Sequence, residues 1–306
     1  MSDKNYLHPL KLSLVYFMLL ASCSVVSATI TFVTSDNILS PIDLRKNNSN
    51  GVEQVKFKAT PQGDLELHIF RASSKIKSQN AALVLFHGGG FNSGSPEQFY
   101  PQAKYLADFG ITVICAEYRI KNKHKTTREY SVMDAKSAMR WVYQNADELN
   151  ISVDRIAVGG GSAGGYLAAA VGIVEGFNDS EDDAMTPISP AAVVLYNPGL
   201  ELSLKGRNNN GTAKGLKNES ILLSINKNYP PSLVLIGTED WLTPVSKVEK
   251  FCDLVKEAGS DCEMVIYDQQ EHGFFNSKRN LYDTTIRSHR FLAEQVWYYL
   301  QSRVSS

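Results

Sequence analysis

An α/β fold with a mostly parallel central sheet and helices on both faces is what this sequence predicts, on three observations. From Ala82 onward, short apolar runs alternate with amphipathic segments, as successive strand and helix units do. Two of those runs end in glycine-rich turns, at Gly88-Gly89-Gly90 and at Gly159 to Gly165, where strand-to-helix turns belong. The 306 residues are 43% hydrophobic and 21% charged, which suits one large domain.

The elements follow in chain order. Residues 1–28 read as a signal peptide, because Lys4 and Lys11 flank an apolar run, Leu12 to Leu20, far below the roughly 20 residues that span a bilayer. Residues 29–54 read as a linker and 55–303 as the folded domain. Val55 to Lys58 and Leu65 to Phe70 predict two strands meeting at the turn Pro61-Gln62-Gly63-Asp64. Further strands are expected at Ala82 to Phe86, Ile111 to Cys115, Arg155 to Gly159, Ala191 to Tyr196, Ser232 to Ile236 and Cys262 to Tyr267. Ala135, Ala138, Met139 and Val142 fall at i, i+3, i+4 and i+7, a helical stripe that belongs against a sheet. A helix is expected from Ala163 to Val174, and another closes the chain around Leu292, Val296 and Tyr299.

The chemistry concentrates at Gly160-Gly161-Ser162-Ala163-Gly164, a serine between glycines where a strand hands over to a helix. This G-x-S-x-G turn exposes a nucleophilic hydroxyl above the sheet edge. Gly159, Gly161 and Gly164 also spell the dinucleotide fingerprint G-x-G-x-x-G. That reading, an oxidoreductase, needs an acid ending the next strand about 20 residues on. The stretch Glu175 to Asp183 is instead an acidic loop with no strand before it. Upstream, the strand ending at Phe86 runs into His87-Gly88-Gly89-Gly90, whose unobstructed N–H groups suit a developing oxyanion. The oxyanion donors are assigned to Gly89, Gly90 and Ala163, with Gly88 as a substitute.

A serine nucleophile needs a base. Of six histidines, His8 lies in the leader, His68 inside a strand, His87 in the glycine loop, His124 in the cationic run Lys121 to Lys125, read as a solvated loop, and His289 on the last helix. His272 alone follows a strand through a polar loop and precedes Gly273. The orienting acid should lie between serine and base in chain order. Asp240, after the strand Ser232 to Ile236, is the choice, with adjacent Glu239 as runner-up.

These motifs carry a family resemblance. From about Val55 to Leu300 the chain resembles an α/β-hydrolase of the hormone-sensitive-lipase-like and acetyl-esterase branch, through His87 to Gly90, Gly160 to Gly164, Gly237-Thr238-Glu239-Asp240 and Glu271-His272-Gly273-Phe274-Phe275. It also resembles esterases of bacterial polysaccharide-degrading systems, through Asp134 to Val142 and Gly159 to Gly165. It departs at Gly161, where lipase-like members carry Asp, and at Tyr166, where relatives often carry His. The resemblance implies a serine carboxylic-ester hydrolase with a Ser162–His272–Asp240 triad and no cofactor. Little or no cap domain is expected, since few residues precede the Ala82 strand and the loop Gly199 to Asn228 is polar. The implied reaction removes short acyl groups, acetyl above all, from a carbohydrate or similar polar alcohol; a general short-chain carboxylesterase is the alternative.

Leu20-Ala21-Ser22-Cys23 resembles a bacterial lipobox, which implies cleavage before Cys23 and its lipidation; cleavage after Ala28 would release a soluble enzyme. The first is the preferred reading, and it predicts an exported lipoprotein at the outer membrane or facing the periplasm, held to the membrane only by that anchor. Export would permit a disulfide, and Cys252 with Cys262 is the candidate pair, while Cys115 reads as a buried hydrophobe. No spacing suggests a metal site. A net charge of −1 gives no pull toward nucleic acid. The expected partner is a small-molecule or glycan ester.

Overall fold

A computed structural model describes residues 29–39, 51–73, 80–174, 176–201 and 220–298. The leader with Cys23, and most of the polar loop Gly199 to Asn228, lie outside the described residues. The strands are β1 (Thr29–Val33), β2 (Glu53–Lys58), β3 (Leu65–Phe70), β4 (Asn80–Phe86), β5 (Ile111–Ala116), β6 (Ile151–Gly161), β7 (Val193–Tyr196), β8 (Ser232–Glu239) and β9 (Cys262–Glu271). The helices are α1 (Tyr100–Asp108), the single turn α2 (Lys121–His124), α3 (Arg128–Gln144), α4 (Ala163–Ala170), the single turn α5 (Ile221–Ser224), α6 (Val245–Glu257) and α7 (Lys278–Leu292).

The described strands form one sheet in the order β1-β9-β8-β7-β6-β4-β5-β3-β2, parallel throughout except where β3 pairs antiparallel with β5 and with β2. β4 after Asn80 is an unbroken apolar run, β5 is interrupted only by Thr112, and both are buried on both faces, as central parallel strands must be. Alternate side chains feed two cores. Ala82, Val84 and Phe86 pack with Ala138 and Met139 of α3, Leu167 of α4 and Phe251 of α6. Ala81, Leu83 and Leu85 face Ala103 and Leu106 of α1 and Phe291 of α7. The Ala135-Ala138-Met139-Val142 stripe is buried, as its period predicts.

Several elements differ from the sequence reading. Thr29–Val33, read as linker, pairs with β9 from Thr29 opposite Glu263 to Val33 opposite Tyr267. Its Ile30 and Phe32 are exposed and only Val33 is deeply buried, so it lacks the apolar run of an inner strand. α4 stops at Ala170, two residues short of Gly172, a poor helix former. β8 and β9 run past their apolar segments because the ladder continues to Glu239 opposite Glu271. The run Lys121 to Lys125, read as solvated, is also different: it forms α2, and His124 is buried with Nδ1 accepting the Ile120 N–H at 2.9 Å.

A buried ion network ties the sheet edge to α3. Asp134 accepts Arg119 through both carboxylate oxygens, at 2.7 and 2.8 Å, and Lys58 Nζ at 2.9 Å. Lys58 also reaches Asp179 at 2.7 Å, and Arg140 reaches Asp182 at 2.8 Å. The acidic loop after α4 therefore serves buried cations on the structural side of the sheet.

Candidate active site

The site is assembled at the C-terminal ends of β4, β6, β8 and β9. β6 carries Gly159 to Gly161 as strand, and α4 begins at Ala163, so Ser162 turns the chain between them. Its φ of 54° and ψ of −113° are a strained conformation for a side chain with a Cβ. The turn is pinned by the Ser162 N–H donating to the Tyr196 carbonyl at 3.0 Å, and by the Ser162 carbonyl accepting from Tyr166 and Gly199. Gly164 explains the closeness of the turn: a Cβ there would lie 1.9 Å from the Phe86 carbonyl oxygen.

His272 follows β9, and its Nε2 lies 2.8 Å from Ser162 Oγ. Its Nδ1 lies 2.8 Å from Asp240 Oδ2. A carboxylate only accepts, so Nδ1 carries the hydrogen and the Nε2 lone pair faces the serine hydroxyl. Asp240 is buried, and its second oxygen accepts the N–H groups of Leu242 and Thr243 at 2.9 and 2.8 Å. Thr243 Oγ1 donates to the Pro198 carbonyl, tying this turn to the segment after β7. Glu239, the alternative acid, is exposed at the end of β8.

The glycine loop brings backbone donors to the same place. Gly89 and Gly90 adopt φ of 122° and 63°. Among the described residues no acceptor takes their N–H groups or that of Ala163, the first residue of α4. Gly88 is different, since its N–H donates to Gln98 Oε1 at 2.6 Å and is not available as a substitute donor. His87 is buried, stacked on Tyr118, with Nδ1 bonded to the Gly88 carbonyl at 2.8 Å. Burial pulls its pKa down to about 4, so it is neutral at pH 7. The Tyr118 hydroxyl donates to the His87 carbonyl at 2.7 Å.

Gly161 faces Phe275, and a Cβ would lie 2.5 Å from that ring's Cζ. Phe275 stacks on Phe99 with centroids 5.5 Å apart. The departure from Asp thus has a steric counterpart in the turn that carries His272. The dinucleotide reading fails locally: β7 ends at Tyr196 and Asn197 follows, so no carboxylate stands at that strand end. Cys252 of α6 is joined to Cys262 of β9 by a disulfide, and Cys115 is a buried free thiol. No cluster of metal-ligating side chains occurs among the described residues.

Sequence reading missed Gln98, Asn197 and Trp241. Asn197 is fully buried, and its Nδ2 lies 3.4 and 3.3 Å from the two ring nitrogens of His272. Its Oδ1 has no partner among the described residues, and its φ is 36°. The sequence shows no more than an asparagine after an apolar run; its left-handed backbone and its place against His272 come from the fold.

The family model described as BD-FAE matches residues 67–196, and that of the Prolyl oligopeptidase family matches residues 201–296. The solved structure of Thermogutta terrifontis esterase 2 phosphorylated by paraoxon superposes with a TM-score of 0.72 at 34% identity, covering 80% of this chain and 94% of that one. The chain belongs to the α/β-hydrolase serine esterases of the hormone-sensitive-lipase-like type. The chain is also similar to the probable carboxylic ester hydrolase LipM of Mycobacterium tuberculosis, 28% identical over 70% of this chain and 54% of that protein. The Arylesterase of Saccharolobus solfataricus is 38% identical over 42% of this chain and 41% of its own length. The chain thus spans about half the length of these curated relatives.

Proposed function

We propose that the protein is a serine carboxylic-ester hydrolase that removes short acyl groups, acetyl above all, from a carbohydrate or similar polar alcohol. The observation that carries the reading is the continuous hydrogen-bonded line from Ser162 Oγ through His272 to Asp240, each link 2.8 Å. In this mechanism Ser162 Oγ attacks the ester carbonyl while His272 Nε2 takes its proton. The oxyanion of the tetrahedral intermediate accepts from Gly89, Gly90 and Ala163 N–H, and each such donor contributes about 2.7–4 kcal/mol. Asp240 holds the imidazolium, which then returns the proton to the departing alkoxide. Water repeats the cycle on the acyl-enzyme, releasing the acid and restoring the serine.

The short acyl group is supported by relatives: Thermogutta terrifontis esterase 2 has been solved with propionate and with butyrate bound. The sugar alcohol is supported by the polar composition of the loop Gly199 to Asn228, rich in Asn, Gly and Lys, a poor surface for lipid. Export as a lipoprotein anchored at Cys23 belongs to the same proposal, on the lipobox-like Leu20 to Cys23. The test is stoichiometric labelling by paraoxon, abolished in Ser162→Ala, followed by turnover of p-nitrophenyl esters from acetate to laurate and of acetylated glycans. Fast laurate hydrolysis with slow acetate hydrolysis would defeat the short-acyl reading; the absence of labelling would defeat the hydrolase itself.

A further inference from the structure

Trp241 is 74% exposed, more than any other aromatic side chain that stands out as exposed among the described residues. Its ring centroid lies 5.4 Å from that of His272, at an interplanar angle of 57°. An indole left in water is uncovered apolar surface, and this one packs against the imidazole that the hydrolase reading makes the proton carrier. The backbone that presents it is rigid, because Asp240 Oδ1 accepts the N–H groups of Leu242 and Thr243 on its far side. The acid that orients the base therefore also fixes the tryptophan.

We propose that Trp241 is the specificity-determining platform for the alcohol half of the ester, stacking against the face of a pyranose ring; this rests on the hydrolase reading above. The chemistry sets the side of the site involved. In the acyl-enzyme step His272 Nε2 gives its proton to the alkoxide oxygen, so that oxygen sits within hydrogen-bond reach of the imidazole, about 2.6–3.2 Å. The sugar carbons bonded to it then lie beside the imidazole, against which Trp241 packs with centroids 5.4 Å apart. The C–H-rich face of a pyranose buries apolar area on the indole, while its hydroxyls remain in water. A short acyclic alcohol such as ethanol is too small to cover the indole. Trp241 therefore discriminates by the shape of the leaving group and leaves the acyl group unread.

The experiment compares kcat/KM for an acetylated methyl pyranoside with that for ethyl acetate in the full chain and in Trp241→Ala and Trp241→Phe. The expected result is a fall of about ten-fold in the ratio of the two values for Trp241→Ala, carried by KM, with most of it restored by Trp241→Phe. A ratio that does not move, whether both substrates slow or neither does, overturns the platform. Binding is measured separately in the Ser162→Ala background, by calorimetry with the same pyranoside, against the Ser162→Ala/Trp241→Ala double variant. Trp241-dependent binding without any turnover in the wild type would retain the platform and remove the hydrolase reading. Turnover with an unchanged ratio would do the reverse.

Discussion

The two halves of the site are held in place by different means. Around Ser162 the contacts are backbone against backbone: Gly164 lies so close to the Phe86 carbonyl that no Cβ fits, and the turn hangs on the carbonyl of Tyr196. Around His272 the contacts run through side chains, with Asp240 gripped by two N–H groups and Asn197 against the imidazole. The division follows the two family models, which meet between residues 196 and 201. The nucleophile half should be sensitive to added volume, because close-packed backbone cannot give way. The acid–base half should be sensitive to lost or reversed hydrogen bonds.

Asp240→Asn is the strongest probe of the second half. The new amide can keep its oxygen toward Leu242 and Thr243 N–H, which turns its NH₂ toward His272 Nδ1. That favours the wrong tautomer and removes the counter-charge, so kcat should fall by about 10⁴-fold. Stopped assays with the acetate ester, beside an unchanged melting temperature, would check it. A ten-fold loss would mean that the carboxylate is dispensable.

In the first half, His87 makes stability depend on pH. Its pKa is held at about 4 by burial, against an unfolded value of 6.5. Between those values the unfolded chain binds a proton that the folded chain refuses, so stability rises with pH across this window. The contribution is complete above 6.5 and is lost as pH falls toward 4, an effect of roughly 3 kcal/mol. Urea unfolding of the wild type and of His87→Asn at several pH values should show a flatter profile for the variant. Equal slopes would show that His87 does not carry the dependence.

Gly161→Asp joins the two halves. Its side chain must displace Phe275, which sits two residues after Gly273 in the turn that carries His272. A shift of the base by about 1 Å would cost on the order of 10²-fold in kcat/KM. Phe275→Ala in the same chain should recover part of that loss. Double-mutant coupling near zero would mean that the glycine answers to something else.

What the sequence made legible follows the same division. The nucleophile half was readable because glycines and apolar runs are local signals: Gly160, Gly164 and His87 to Gly90 announce tight turns wherever they occur. In the other half Asp240 and His272 could be ordered along the chain; the roles of Asn197 there and of Gln98 beside the glycine loop could not be read, since they arise from tertiary approach alone. β1 was hidden for a related reason. Its Thr-Ile-Thr-Phe alternation is a strand pattern, but the apolar set, Ile30 and Phe32, lies outside and only Val33 is deeply buried, so the pattern marks no buried face.

The disulfide tests whether the acid–base half needs its covalent support. Cys252 and Cys262 close a loop of sequence separation 10 between α6 and β9. A loop this short restricts the unfolded chain by about 2–3 kcal/mol. Cys252→Ala/Cys262→Ala should lower thermal stability by that amount while leaving kcat within about two-fold at 25 °C, because the link lies at the far end of β9 from His272. A large loss of kcat at full folding would instead make the bridge part of how the base is positioned.

Asn197 should give the smallest effect and the most specific one. Its amide touches both ring nitrogens of His272 while its oxygen is buried without a partner. An unpartnered buried carbonyl costs about 1–3 kcal/mol, and a backbone held at φ of 36° adds to that cost. Set against the imidazole, the amide is placed to act as a stop against rotation of the ring away from Ser162. Asn197→Ala removes the stop and the orphaned oxygen together. Loss of the orphaned oxygen is set against the greater cost of Ala at that φ, so stability should change little while kcat falls about ten-fold at unchanged KM. Paraoxon labelling of Ser162 should slow in parallel, since it needs the same proton transfer. A fall in stability together with unaltered kcat would make Asn197 a packing residue of β7, and the two halves of the site would then share a mode of support after all.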